Sequence, residues 1–442
     1  MSGDGLRAQL LRGGIGSLAI KSANAILGFA VAVVLARVLG PEGYGVYSFA
    51  LALLMVTAIP AQVGVPQLVV RETATAQADE DWGLMRGLWR WGNAAVAILS
   101  VLALLAVSGV VLLTDIGGDG PRAATLTVGL AVIPLLALAK VRGASLRGLR
   151  KVVQGQLPES VIRPAVLLAL VGAWAALAGP GNTMRPERAM ALYAVASILA
   201  FGIGAWLLRR FRPSVLSTAP RPVYQHRAWA KAVIPLALIT GLQLINNYAD
   251  LIVLGIFRAD EEVGVYRAVF QMTLLVVFGL QAMNQVLQPH FARLYQRGDY
   301  HRLQRLVTLS ARVILALALP PVLLFLIAGE VLLAWVFGDA FRTGAVTLGV
   351  LAVGQLFNSA MGSVGMLLNM TGHERDTMRG IAWAAAANVV MNFALIPIFG
   401  MEGAAAASVL TLIWWNILLR RAVIKRLGLE TLATGPLPWS DL

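Results

Sequence analysis

The fold class this sequence predicts is an all-α polytopic membrane protein, with about twelve transmembrane helices in two pseudo-symmetric six-helix lobes. Three observations predict it. Hydrophobic residues make up 58% of the chain and charged residues only 13%, with a mean hydropathy of +0.75. A short stretch occurs twice: VVLARVLGPEGYGVY at 33–47 and IVLGIFRADEEVGVY at 252–266 align without a gap, with Val34/Val253, Leu35/Leu254, Glu42/Glu261, Gly45/Gly264, Val46/Val265 and Tyr47/Tyr266 identical. The copies lie about half of the 442 residues apart, each joining one long apolar run to the next, as two copies of one unit require. Finally, about three quarters of the 36 Lys and Arg fall in the termini and the connectors on one side, the asymmetry of the positive-inside rule.

With about 20 apolar residues needed per crossing, the spans read as 13–36, 47–70, 92–114, 123–142, 159–178, 188–208, 231–254, 264–288, 306–328, 343–369, 379–398 and 403–419. The charge bias places the N- and C-termini in the cytoplasm. The first apolar run is too long for a cleaved signal peptide and reads as a retained first helix. Ahead of it, residues 2–12 set Leu6, Leu10 and Leu11 beside Arg7 and Arg12, the pattern of a short amphipathic surface helix. Span 1 carries Lys21, with Asn24 and Gly28 at i+3 and i+7 on the same helical face. An ionisable group at such a depth either snorkels to the headgroups or faces a cavity, and the residues alone leave both roles open for Lys21.

In the repeated stretch, Gly45 permits a tight exit from the turn and Tyr47 suits the headgroup layer. The connector 71–90 mixes both charge signs with Trp82 and Trp89 and reads as interfacial. Span 4 runs into KVRGASLRGLRK at 140–151, a basic cytoplasmic loop. In span 5, Arg163 follows Glu159 by one turn, the spacing of an i,i+4 ion pair. The longest connector, 209–229, with Pro213, Pro220 and Pro222, falls where the repeat puts the junction. The expected organisation is an N-lobe (1–208), a cytoplasmic linker (209–230), a C-lobe (231–420) and a cytoplasmic tail (421–442). Each lobe begins inside and has an even number of spans, so the repeats are parallel, related by an axis along the membrane normal. Prolines at Pro60, Pro66, Pro134, Pro164, Pro235, Pro320, Pro321 and Pro397 offer kinks.

Span 7 places Gln243, Asn246, Asn247 and Asp250 on one face, and span 8 adds Arg267, Gln271, Gln281, Asn284 and Gln285. Asp250 and Arg267 both fall near the outer ends of their spans. An ion pair between them and a proton-coupling role for Asp250 are both compatible with that placement. Gln355, Asn358, Asn388 and Asn392 read as inter-helix glue.

The chain carries no catalytic constellation. His226, His290, His301 and His373 are outside any HExxH, and there is no GxSxG, P-loop or dinucleotide fingerprint. An enzyme is not expected, and transport must draw on an ion gradient, the membrane potential or the substrate's own gradient. The chain has no cysteines, which excludes disulfides and thiolate metal sites. The net charge of +14 is spent on topology, so nucleic acid is not an expected partner.

The stretch GGIGSLAIKSANAILGFAVAVVLARVLGPEGYGVYSFALALL, with YADLIVLGIFRADEEVGVYRA and PHFARLYQRGD, resembles the Wzx-type polysaccharide flippases of the multidrug/oligosaccharidyl-lipid/polysaccharide exporter superfamily. The resemblance implies a MATE-like V of two six-helix lobes around a cationic cavity, working by alternating access. It implies an undecaprenyl-pyrophosphate-linked oligosaccharide as substrate, moved from the inner to the outer leaflet of the bacterial plasma (inner) membrane for O-antigen, capsule or exopolysaccharide synthesis. No cofactor is implied beyond H+ or Na+ coupling and the membrane potential. Implied partners are the lipid bilayer and the polymerase and chain-length proteins of the same pathway.

Span 1 lines the cavity in that family, which assigns Lys21, backed by Asn24, to the pyrophosphate. Asn247, Arg267, Gln271 and Gln285 are further cavity candidates, and Asp250 and Arg163 are candidates for coupling or gating. Relatives that flip the murein precursor carry arginines within spans 1 and 2, where this chain has only Lys21. A multidrug or cation antiporter, a lipid II-type flippase and a membrane scaffold without transport are the alternative readings.

Overall fold

The computed structural model describes residues 3–62, 64–113, 120–179, 182–218 and 221–435, and these are helical with no strand. In chain order the α-helices are α1 (Gly3–Thr57), α2 (Ile59–Gln62), α3 (Val65–Ala78), α4 (Trp82–Leu113), α5 (Pro121–Leu130), α6 (Ile133–Gly148), α7 (Val152–Leu157), α8 (Arg163–Ala178), α9 (Pro186–Phe211), α10 (Val215–Thr218), α11 (His226–Phe257), α12 (Asp260–Gln296), α13 (Tyr300–Phe337), α14 (Ala345–Met361), α15 (Val364–Met370) and α16 (Glu374–Leu427). Ten helices among the described residues are long and apolar enough to cross a membrane. Three of these contain one non-helical residue; at Ala328 α13 only bends, whereas α1 and α16 are each divided by a glycine of positive φ, Gly40 (φ 68°) and Gly400 (φ 58°). The twelve segments that result follow the order of the spans read from hydropathy. Large apolar side chains stand exposed along them, among them Leu105, Leu177, Ile327 and Trp335, as a lipid-solvated surface requires.

Several expectations are corrected here. The turn within 33–47 is a single residue, Gly40, whose left-handed φ only glycine adopts without strain, and Pro41 opens the next helical stretch with its φ already set. Tyr47 and Tyr266 do not face headgroups; each is buried in protein. The connector 71–90 is mostly helix, because α3 runs to Ala78 and α4 starts at Trp82, and Trp89 donates from Nε1 to Thr73 Oγ1 at 2.9 Å. The basic stretch 140–151 is likewise helical to Gly148. Its Arg142 lies 3.3 Å from the centre of the Phe201 ring instead of reaching into a loop. Helix breaks fall just before Pro60, Pro66 and Pro134, where the ring removes an N–H and crowds the preceding turn, whereas at Pro164 the helix runs on from a π-helical turn, Pro158–Ile162. α13 departs from helical geometry at Ala328 rather than at Pro320 or Pro321. For residues 2–12, read as amphipathic, the backbone is helical from Gly3 and the side chains lie outside the described residues.

The chain divides into two compact units, 1–244 and 245–442. In the first, Leu68, Val69, Leu88, Val96 and Val141 pack with Trp229, which also meets Trp91 at 5.4 Å between ring centres. The connector is anchored in this unit, since Val223 N–H donates to the carbonyl of Gly83. In the second, Leu287, Phe291, Leu303, Leu367, Leu419 and Val423 form the core. Residues 429–435 close over it: Gln304 exchanges two hydrogen bonds with the Glu430 backbone at 2.7 and 2.8 Å, and Arg312 Nε donates to the Ala433 carbonyl at 2.9 Å.

Candidate functional site

Two helical hairpins of the second unit build its polar centre. The first turns at Arg258, between α11 and α12, and the second at Gly400, within α16. Asp250 and Tyr266 are equidistant in sequence from Arg258, and Asn392 and Ser408 are equidistant from Gly400. Each pair therefore lies side by side, ~12 Å along its helices from the turn at the helical rise. The two turns are also tied together. Arg258 donates to the carbonyls of Ile396, Pro397 and Ile398 at 3.3, 3.1 and 3.1 Å, occupying acceptors that the helix end leaves free. Glu262 accepts from the Met401 N–H at 3.3 Å, a carboxylate at a helix start.

Asp250 is 6% exposed. Its carboxylate accepts from Tyr266 Oη at 2.8 Å, from Asn392 Nδ2 at 2.6 Å and from Ser408 Oγ. Asn392 Nδ2 also reaches Asn388 Oδ1, one turn away, at 3.0 Å. Among the described residues every hydrogen-bond donor to this carboxyl group is uncharged. Asn392 Oδ1 is buried with no partner among the described residues. The group sets one carboxyl among two amides and two hydroxyls, with Asn392 meeting it through Nδ2 and Tyr266 and Ser408 through O–H, a hydrogen-bonded cage around a group that can take up a proton.

The sequence candidates distribute as follows. Asp250 is not ion-paired with Arg267; the Arg267 guanidinium lies 5.9 Å from the Phe270 ring centre instead. The polar face expected on α11 splits: Gln243 and Asn247 are exposed, whereas Asp250 is buried. Gln271 is half-buried and Gln285 exposed. In the first unit, Lys21 and Asn24 are exposed on α1. Arg163 and Glu159 form the expected pair at 2.6 Å, with Arg163 also over the Tyr193 ring at 5.6 Å. Lys140, read as a loop charge, is instead half-buried within electrostatic reach of Arg163, Glu159 and Arg147.

Sequence reasoning missed Ser408 and the role of Tyr266, and assigned Asn388 and Asn392 to packing alone. The signal that finds them is symmetry about the two turns, which needs the turn residues located to within one position.

Comparison with known proteins places this architecture. The polysaccharide biosynthesis protein family matches residues 10–295. The chain is 23% identical over 381 residues to the probable low-salt glycan biosynthesis flippase Agl15 of Haloferax volcanii, covering 85% of this chain and 75% of that one. Its fold matches an inward-facing multidrug resistance MATE family transporter of the MOP superfamily, with TM-score 0.75 at 14% identity over 94% of this chain and 98% of the other. It also matches the lipid II flippase MurJ in an inward closed conformation, with TM-score 0.71 at 13% identity over 93% and 87%. The chain belongs to the polysaccharide biosynthesis protein family and is a multi-pass membrane transporter of MATE-like fold, not an enzyme.

Proposed function

We propose that the protein is a flippase for lipid-linked glycans, carrying undecaprenyl-pyrophosphate-linked oligosaccharide units from the inner to the outer leaflet of the bacterial plasma membrane for O-antigen, capsule or exopolysaccharide synthesis. The observation that carries this reading is the likeness to a glycan biosynthesis flippase along 85% of the chain, joined to a transporter fold. In this reading both termini are cytoplasmic, and two lobes, 1–208 and 231–420, alternate in access.

The chemistry of the substrate assigns the residues. A diphosphate leaving water needs positively charged donors, and Lys21 on α1, with Asn24 on the same face, supplies them. Arg267 is a second, weaker contact. Asn247, Gln271 and Gln285 add neutral polar contacts, and Arg163 is held as a gate by Glu159. Asp250, caged by uncharged donors, is the group that takes up H+ or Na+ and couples it to the cycle.

The reading is tested by complementation. In a bacterial host deprived of its own repeat-unit flippase, the gene should restore surface polysaccharide, with protein levels blotted in parallel. Normal membrane expression without restoration, across hosts with differing repeat units, would overturn it.

A further inference from the structure

At the other end of the same helices the second unit holds an open, mainly apolar cavity of about 270 Å³ with a few amide and hydroxyl groups in its wall. Asn416 lies ~24 Å along α16 from Gly400 at the helical rise, well past Ser408. The cavity exists because the tenth span is broken. α14 ends at Met361, Gly362 takes a left-handed φ of 72°, and α15 restarts at Val364. Ser363 at the break donates to Asn284 Oδ1 on α12 at 2.5 Å. Asn416 Nδ2 donates to Asn358 Oδ1 on α14 at 2.9 Å and to its own helix at the Leu412 carbonyl. Asn358 passes its amide to Gln355 Oε1 at 3.2 Å.

This accounting leaves three side-chain groups over. Asn284 Nδ2, Asn416 Oδ1 and the Trp415 indole N–H, two donors and one acceptor, have no protein partner among the described residues. None is among the sealed polar atoms, so each can meet a ligand. The indole of Trp415 and the side chains of Leu280, Met366, Leu412 and Leu419 complete the wall, and none of the lining residues is ionisable.

Those walls define the ligand. The absence of charge in the lining disfavours a phosphate or a cation, which would be desolvated without compensation. A purely apolar chain would leave the amides unpaired, at a cost. An uncharged pyranose satisfies both halves, with its C–H face on the indole and its hydroxyls acting as donors and acceptors toward amides. The volume falls just below the roughly 300–1,000 Å³ of pockets for drug-sized ligands, which suits a single ring. We propose that this cavity is a sugar subsite that holds one neutral ring of the transported glycan. The proposal rests on the flippase reading and adds to it a position where glycan identity is read.

Saturation-transfer difference NMR on the full chain in nanodiscs tests this. The probes are methyl glycosides of glucose, galactose, mannose and N-acetylglucosamine, with methyl glucuronide as the charged comparison. At least one neutral glycoside should be saturated at its ring C–H protons, and the glucuronide more weakly. Asn416→Leu and Asn284→Leu should each lower the signal by about fivefold or more, the worth of one hydrogen bond, and Trp415→Ala should lower it by about as much through loss of the stacking face. Trp206→Ala, on the exposed surface of the first unit, should not change it. The three cavity variants alter three different places, so a folding failure in one leaves the others to decide. No saturation of any neutral glycoside by wild-type protein, or full signal in every folded cavity variant, would overturn the subsite. Flipping of lipid-linked glycan, measured separately, distinguishes the two claims: intact flipping with no glycoside signal removes only the subsite, and a glycoside signal without flipping removes only the transport reading.

Discussion

The phenol of Tyr266 donates a 2.8 Å hydrogen bond to Asp250 across the hairpin that turns at Arg258, and both groups are buried. Tyr266→Phe takes one of three donors from a buried carboxylate. It should destabilise the protein by about 1–3 kcal/mol, read as a lowered midpoint of thermal unfolding. Asp250→Asn replaces an acceptor of three bonds by a group that also donates. That variant should still insert but lose the response of transport to an imposed H+ or Na+ gradient. An unaltered gradient response would remove Asp250 from coupling and leave it a structural role.

Lys21 is exposed on α1 with Asn24 on the same face. If it meets pyrophosphate, Lys21→Arg should retain flipping, because both side chains supply positive charge to phosphate. Lys21→Ala should lose most of it, and Lys21→Glu all of it, at equal membrane expression. Surface polysaccharide restored in full by Lys21→Ala would show instead that the ammonium only snorkels to headgroups.

Gly400 and Gly428 both have positive φ, and their surroundings separate two costs. A Cβ at Gly428 meets nothing within 4 Å, so Gly428→Ala should cost only the left-handed backbone, about 1–2 kcal/mol. A Cβ at Gly400 would press on Glu262 Oε2, which is held by the Met401 N–H, and the ψ of −134° there lies outside the left-handed helical region that Gly428 occupies. Gly400→Ala should therefore destabilise more than Gly428→Ala and also depress transport by displacing Asn392 and Ser408. Equal unfolding midpoints for the two variants would contradict the role given to the Gly400 turn.

A pyrophosphate moving outward carries negative charge down an inside-negative potential, a gain of about 2.3 kcal/mol per charge per 100 mV. In vesicles, a valinomycin-imposed inside-negative potential should speed export of the headgroup and an inverted one should slow it. Rates indifferent to both sign and size would exclude assistance by the potential.

Element order was legible because long apolar runs and charge asymmetry are properties of composition, which local rearrangement does not disturb. Hydropathy separated the spans on either side of both turns, at 36/47 and 398/403, but did not locate the single turning residues, Gly40 and Gly400, because they carry no polar signal of their own. The site suffered accordingly. Asp250 was recognisable as a costly charge within a span, but its partners Asn392 and Ser408 meet it only through the reversal at Gly400. Tyr266 was noticed through the repeat and assigned to the wrong environment, because an amphipathic ring suits a headgroup layer and a buried hydrogen bond equally. Lys140 lies in a basic run that reads as loop from its charges and is helix to Gly148, within electrostatic reach of Arg163 and Glu159.

The claim that this chain moves lipid-linked glycans is tested most directly in proteoliposomes. The full-length protein is reconstituted with a polyprenyl-pyrophosphate oligosaccharide bearing a fluorophore, and arrival in the opposite leaflet is read by a membrane-impermeant quencher. Wild-type protein should move the glycan-bearing lipid, with Lys21→Glu no faster than empty vesicles. Vesicles in which wild-type protein leaves that lipid in its original leaflet, while it exchanges cationic dyes for H+ or Na+, would contradict the account and make the protein a drug antiporter instead.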